Sequence, residues 1–256
     1  MTPRRVLSDW RFWLVTLAAL GGAAVTAALG RWQLDRAGQK LALEAAVQAR
    51  AALPALETPA FLGQARSAGA LDAGLLHRKV HIRGHWQEQH TVYLDNRQMQ
   101  GRQGFFVLTP LQIEGSTVSV LVQRGWIARN FQDRTALVPL QTQRGLVEIN
   151  GRVAAPPGRL LELDGTDKAP GSSRIRQNLD LSAFREETGL ELADLSVLQT
   201  DGSSDGLQRQ WPAFSSGVDK HHGYAFQWFG LSGLIVLLYV WFQLVRRFRP
   251  PRNSAA

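Results

Sequence analysis

The sequence predicts an α+β membrane protein. Two transmembrane helices flank an extracytoplasmic domain, a mostly antiparallel β-sheet or small barrel with accessory helices. Three observations predict it. The chain of 256 residues carries an uncharged apolar run near each end. Between the runs, the spacing of apolar residues changes from helix-like to strand-like. The formal net charge of +8 sits mainly in two short tails.

Arg11 and Arg31 bracket nineteen residues without a charge, Phe12 to Gly30. A second uncharged run of 22 residues, Tyr224 to Val245, is stopped by Arg246 and Arg247. At about 1.5 Å per residue, each run crosses a hydrocarbon layer of about 30 Å. Two buried helices of a soluble protein are the plain alternative, but a small domain rarely offers two such slots at opposite ends of its chain. A cleaved signal peptide competes for the first run. Arg4, Arg5 and Arg11 precede it, and Ala24, Ala27 and Ala28 offer a small-residue site. Its core is too long for that role and opens with Trp10, Phe12 and Trp13, which favours a retained anchor. Gly21, Gly22, Ala24 and Ala28 form a smooth strip suited to another membrane helix.

Residues 1–11 and 246–256 together hold seven basic residues and one acidic residue, whereas the section between them holds 22 and 20. Basic short flanks stay in the cytoplasm. The expected order is a cytoplasmic tail over 1–11, a transmembrane helix over 12–30, an extracytoplasmic domain over 31–223, a second transmembrane helix over 224–245 and a cytoplasmic tail over 246–256. The isoelectric point of 10.7 then reports topology and contact with anionic lipid, not nucleic acid. The absence of cysteine excludes disulfides, iron–sulfur clusters, thiolate zinc sites and a cysteine nucleophile.

Within the middle section, Gly30 to Ala52 is helical in character and extends the first span outward. Leu53-Pro54 and Thr58-Pro59 break it. A short helix is expected within 59–75. Lys79 to Arg83 alternates polar and apolar residues as a strand does, and Gly84 marks a bulge or bend. Thr91 to Leu94 reads as a strand, followed by a turn at Asp95-Asn96-Arg97. Gly101 and Gly104 bracket another turn. Phe105 to Thr109 is a strand ended by Pro110. Gly115-Ser116 is a hairpin turn into a strand over 117–123. Further strands are expected over 145–153 and within 190–199, with loops over 163–173 and 200–208.

Chemistry is sparse. His77, His81 and His85 recur every fourth residue, but on a strand that spacing is about 13 Å, too far for one metal ion. Phosphate-loop, Gly-x-Ser-x-Gly and His-Glu-x-x-His motifs do not occur. Asp164 and Asp167 are a carboxylate pair without catalytic company. The re-entry into the membrane is more informative. His221 and His222 stand just outside an aromatic-rich helix start, and their imidazoles offer nitrogen to a haem iron. Tyr224 and Trp228 follow His221 at three and seven residues, on one helix face where a flat macrocycle can pack. An interfacial aromatic belt with passenger histidines is the competing reading. Gln227, inside the span, needs a polar partner on the first helix or on another protein.

These residues resemble the surfeit-locus protein 1 family. Gly30-Arg31-Trp32-Gln33-Leu34-Asp35-Arg36 with Lys40 is similar to the segment after the family's first span. Gly84-x-Trp86, Tyr93-Leu94-Asp95-Asn96-Arg97, Gly101-x-x-Gly104-Phe105 and Thr109-Pro110-Leu111 follow in order. Val122-Gln123-Arg124-Gly125-Trp126-Ile127 resembles another family segment, with Gln123 in the usual asparagine place. Gly151-x-Val153 comes next, and His221-x-x-Tyr224-Ala225-x-Gln227-Trp228-Phe229 is similar to the start of the second span.

The resemblance implies a non-enzymatic assembly factor for haem–copper cytochrome c oxidase in the bacterial inner membrane, its domain periplasmic. It implies haem a bound transiently as cargo and placed in oxidase subunit I. Partners would be that subunit, other oxidase assembly or haem a synthesis proteins, and membrane lipid. His221 matches the family's haem-linked histidine. Lys220 replaces the family's usual asparagine and His222 adds a second imidazole, so either histidine is a candidate axial ligand. A haem-free scaffold that holds an intermediate of subunit I is the alternative. Trp86 and Trp126 are expected in the core. Arg97 and Arg124 are expected to meet propionates, the oxidase or surface carboxylates, and Arg31, Arg36 and Lys40 to meet lipid phosphates.

Overall fold

The computed structural model describes residues 10–67, 74–130, 132, 137, 139–160, 173–202, 205–212 and 217–245. The chain divides into a helical unit made from its two ends, 1–45 and 214–256, and a β-rich unit over 46–213.

The first helix, α1 (Trp10–Ala52), runs without interruption through the apolar run and the expected extension. It stops just before Leu53-Pro54, because proline disfavours helical backbone in the residue before it. The last helix, α4 (Val218–Tyr239), starts after Gly217, whose φ of 61° breaks the incoming chain, and has Asp219 in its first turn. It widens into a π-helical turn over Val240–Val245. The apolar side chains of both helices lie bare: Leu17 is 67%, Phe226 80% and Leu237 68% exposed. This bareness excludes the buried-helix reading, because such surface costs about 25 cal/mol per Å² in water and nothing in lipid.

The β-rich unit is a small barrel. Its strands are β1 (Leu56–Glu57), β2 (Lys79–Trp86), β3 (Val92–Met99), β4 (Arg102–Ile113), β5 (Val118–Ala128), β6 (Leu146–Ala154), β7 (Ile175–Arg176) and β8 (Glu191–Gln199). The sheet order β1-β2-β6-β8-β5-β4-β3-β7 gains an extra pairing of β2 with β4, which closes five strands into a ring. The pairing is mostly antiparallel, as expected, but β5 and β8 run parallel. A ring of five cannot alternate direction all the way round, so one parallel pair is obligatory. Gln123 on β5 donates to Ser196 Oγ on β8 at 2.9 Å across that pair.

Alternation places the core. Val80 and Ile82 of β2, Val147 and Ile149 of β6, and Val120 and Val122 of β5 pack together with Phe61 of α2 (Thr58–Ser67). The opposite face of β3, β4 and β5 buries Leu94, Leu108 and Leu121 under Phe184 of α3 (Leu181–Thr188). With both faces covered, β5 is buried along most of its length and reads as an apolar run rather than an alternation.

Four local expectations are corrected. Asp95-Asn96-Arg97 is a bulge within β3, where the register with β4 shifts, and Asn96 takes φ 58°. Turn formers serve a bulge equally well, since both need a left-handed residue. The hairpin turn is Gln100-Gly101, at φ 51° and 75°, with Met99 paired to Arg102. Gly104 lies inside β4 against the Trp126 ring. Pro110 does not end β4. Its carbonyl accepts the Gln87 N–H at 2.9 Å, and its missing N–H falls on that same edge, where β3 has ended and pairing with β2 resumes only at Leu111. Gly84 is neither bulge nor bend: a Cβ there would stand 2.3 Å from the Gln112 carbonyl oxygen, so only glycine lets β2 reach β4. Asp164, Asp167 and most of the 163–173 stretch lie outside the described residues.

Trp126 is fully buried, as expected, and donates through Nε1 to the Arg97 carbonyl at 2.9 Å. Trp86 is half-buried beneath the Arg124 guanidinium, 4.7 Å from the ring centre. Arg97 and Arg124 are not surface groups. Arg97 donates to the carbonyls of Gly158 and Gln177 at 2.9 and 3.0 Å. Arg124, 2% exposed, and Arg209 share the Asp205 carboxylate at 3.2 and 2.6 Å. Burial pushes Arg124 below the ordinary arginine value, and Asp205 opposes that shift.

Replacing Gly84→Ala should destabilise the domain by about 1–3 kcal/mol through overpacking at the closure. Asp205→Ala should cost about 3–5 kcal/mol, because it strands two buried guanidinium groups. Chemical denaturation of the full chain in micelles, followed by tryptophan fluorescence, measures both.

Candidate functional site

The candidate site lies in the helical unit, where α1 and α4 run antiparallel. Thr16 Oγ1 is 2.9 Å from the Tyr239 hydroxyl. Ser232 Oγ donates to the Ala23 carbonyl at 3.0 Å. Gly30 faces Phe229 so closely that a Cβ would meet the ring at 2.9 Å. On α1 the covered positions Thr16, Ala19, Gly22, Ala23, Thr26, Gly30, Gln33, Ala37 and Lys40 follow helical spacing. Of the expected smooth strip only Gly22 lies on this seam; Gly21, Ala24 and Ala28 are exposed.

His221 stands in the first turn of α4, before the uncharged run begins at Tyr224. Its ring is half-buried, and Nδ1 lies 2.7 Å from the Gln33 amide oxygen on α1. Burial lowers its pKa from the ordinary histidine value, and Lys40, Arg36 and His222 push the same way by repulsion. These effects favour the neutral imidazole, the form that can bind a metal.

The other candidates distribute around the helix. Trp228, seven residues on, returns to the covered side with His221 and is half-buried. Tyr224 is exposed at the flank of that face. His222, about 100° further round, is exposed and points elsewhere. Gln227 is exposed too, and the side-chain amide on the seam is that of Gln33. Arg36 is exposed, lies 6.0 Å from the Trp32 ring centre and donates to Gln39 at 3.2 Å. Lys40 is half-buried one turn further along α1.

Gln33 is the residue that sequence reasoning quoted without giving it a role. The signal was present: positions 30, 33, 37 and 40 share one helical face, and Gln33 is the uncharged polar residue on it. Elsewhere His81 is engaged by Glu57 and Glu148 at 3.0 and 3.8 Å. Among the described residues, no three or more His, Cys, Asp or Glu side chains gather to hold a metal ion.

The sequence profile of the SURF1 family matches residues 20–233. A SURF1-like protein of Rickettsia bellii is 24% identical over 221 residues, covering 82% of this chain and 83% of its own length. One from Rickettsia felis is 25% identical over 222 residues, covering 83% and 89%. Surfeit locus protein 1 of Mus musculus is 26% identical over 261 residues, covering 93% of this chain and 76% of the mouse protein. The profile covers the whole barrel and reaches into both apolar runs. With two bare helices of membrane length flanking that barrel, this membrane protein belongs to the SURF1 family, the non-catalytic chaperones of cytochrome oxidase assembly.

Proposed function

We propose that this chain carries haem a as transient cargo, holds its iron through His221, and assists its insertion into cytochrome c oxidase subunit I. The observation that carries the reading is the placing of His221. An imidazole sits one turn before an uncharged span, within hydrogen-bond distance of a side chain of the other helix. Haem a is largely apolar with a long tail, and its passage through water is costly at about 25 cal/mol per Å². A ligand at the lipid boundary lets the tail stay in the bilayer while the iron meets nitrogen. Trp228 and Tyr224 supply flat surface beside the ring plane. Arg36 and Lys40 supply positive charge for the propionates or for lipid phosphates. His222 serves as a reserve ligand rather than the primary one, since it points away from the seam.

The same reading places residues 1–11 and 246–256 in the cytoplasm and 31–223 in the periplasm of a bacterial inner membrane, with spans over 12–30 and 224–245. The seam contacts of Thr16 and Ala23 favour a retained first helix, because cleavage after residue 28 would remove them.

Protein purified from a host that makes haem a should show its absorption bands. His221→Ala should remove most of the bound haem, and His222→Ala should retain it. Equal haem in wild type and His221→Ala would overturn the ligand assignment, and haem-free wild type active in oxidase assembly would favour the scaffold. Alkaline phosphatase inserted at Gly145 should be active and fused after Ala256 inactive, with the N-terminal sequence of the mature protein intact.

A further inference from the structure

We infer that Gln33 is a positioning residue for the cargo: it selects which nitrogen of His221 faces the iron and, as a neutral amide, strengthens that bond less than a carboxylate would. The inference rests on the haem-ligand reading of His221 and adds a second residue to it. The atom that faces Nδ1 at 2.7 Å is the amide oxygen of Gln33. A carbonyl oxygen has no proton to give, so Nδ1 carries the proton and donates. The lone pair is then on Nε2, the ring nitrogen not engaged by Gln33. A free histidine prefers the opposite tautomer, with the proton on Nε2. Gln33 thus reverses the ordinary preference before any metal arrives. The partner of the second nitrogen fixes the orientation and basicity of a metal-bound histidine.

The choice of an amide matters as much as its position. A carboxylate in this place would draw the Nδ1 proton more strongly and make Nε2 a better donor to iron, as in carboxylate–histidine pairs. A neutral amide gives orientation with less of that strengthening. A carrier must surrender its cargo, so orientation without tight binding suits it. Gln33 is placed for this by α1 itself. It lies three residues after Gly30, whose close approach to Phe229 brings the two helices together beside it.

The test uses the full chain in detergent micelles. In the metal-free protein at pH 8, proton–nitrogen correlation of labelled histidine should show His221 protonated at Nδ1. Gln33→Leu should return it to the Nε2-protonated form. In haem-loaded protein, Gln33→Leu should weaken haem retention by about tenfold. Gln33→Glu should lower the reduction potential and slow haem release relative to wild type. A role confined to helix packing would leave the tautomer unchanged in Gln33→Leu and the potential unchanged in Gln33→Glu. An Nε2-protonated His221 in wild type would overturn the inference. So would wild-type potential and release in both variants while His221→Ala loses haem. If His221→Ala keeps its haem, the ligand reading has failed on its own, and Nδ1 protonation in the metal-free protein would still support Gln33 as the group that orients the ring.

Discussion

Two helices whose apolar faces are bare of protein are stable only in lipid, and there the attraction that water would drive between them is absent. Their pairing has to come from close packing and a few polar contacts. Gly30 supplies the close approach under Phe229, and Thr16, Ser232 and Gln33 supply the polar contacts. The antiparallel register set by these pairs decides what stands opposite what. It brings a glutamine from just beyond the first uncharged run against a histidine from just before the second. Everything argued for His221 follows from that register.

The barrel solves a different problem, the closure of a sheet on itself in few strands. Closure needs a bare backbone at Gly84 and an edge on β4 that two strands can share. Pro110 sits where the sharing changes hands, which is one of the few interior positions of a sheet where a missing donor is tolerated. Residues 205–209 are held against the ring by the Arg124–Asp205–Arg209 charges, by Leu207 buried with Tyr93, Phe105 and Val107, and by the Trp126–Gln208 backbone bridge. Arg209 donates to the carbonyls of Arg124, Asp201 and Gly202 at 2.6 to 3.2 Å. Such an arrangement adds little net stability over an apolar one but tolerates few alternatives.

The helices were legible in the sequence because length and charge alone decide them. β2 and β6 were legible because one face is wet and the other dry. What escaped notice did so for physical reasons. α3 was not picked out, although Asp180 caps it and Gly189 ends it, because eight residues are too few for a clear period. Asn96 reads as a turn in the sequence because a bulge and a turn ask for the same backbone. Arg97 and Arg124 were expected near the surface, since a sequence does not show which arginines will find carbonyls and a carboxylate inside. Of the site, the histidines and aromatics could be read from the chain, but the contact between residues 33 and 221 joins positions 188 residues apart and is visible only after folding.

The parallel pair of β5 and β8 sets a schedule for folding. β8 must insert between β5 and β6, so the ring stays open along that gap until residue 199 is available. During synthesis the chain therefore holds two unpaired strand edges until most of it has emerged, a state that invites misassembly and that calls for fast delivery of the last strand or for protection by a helper.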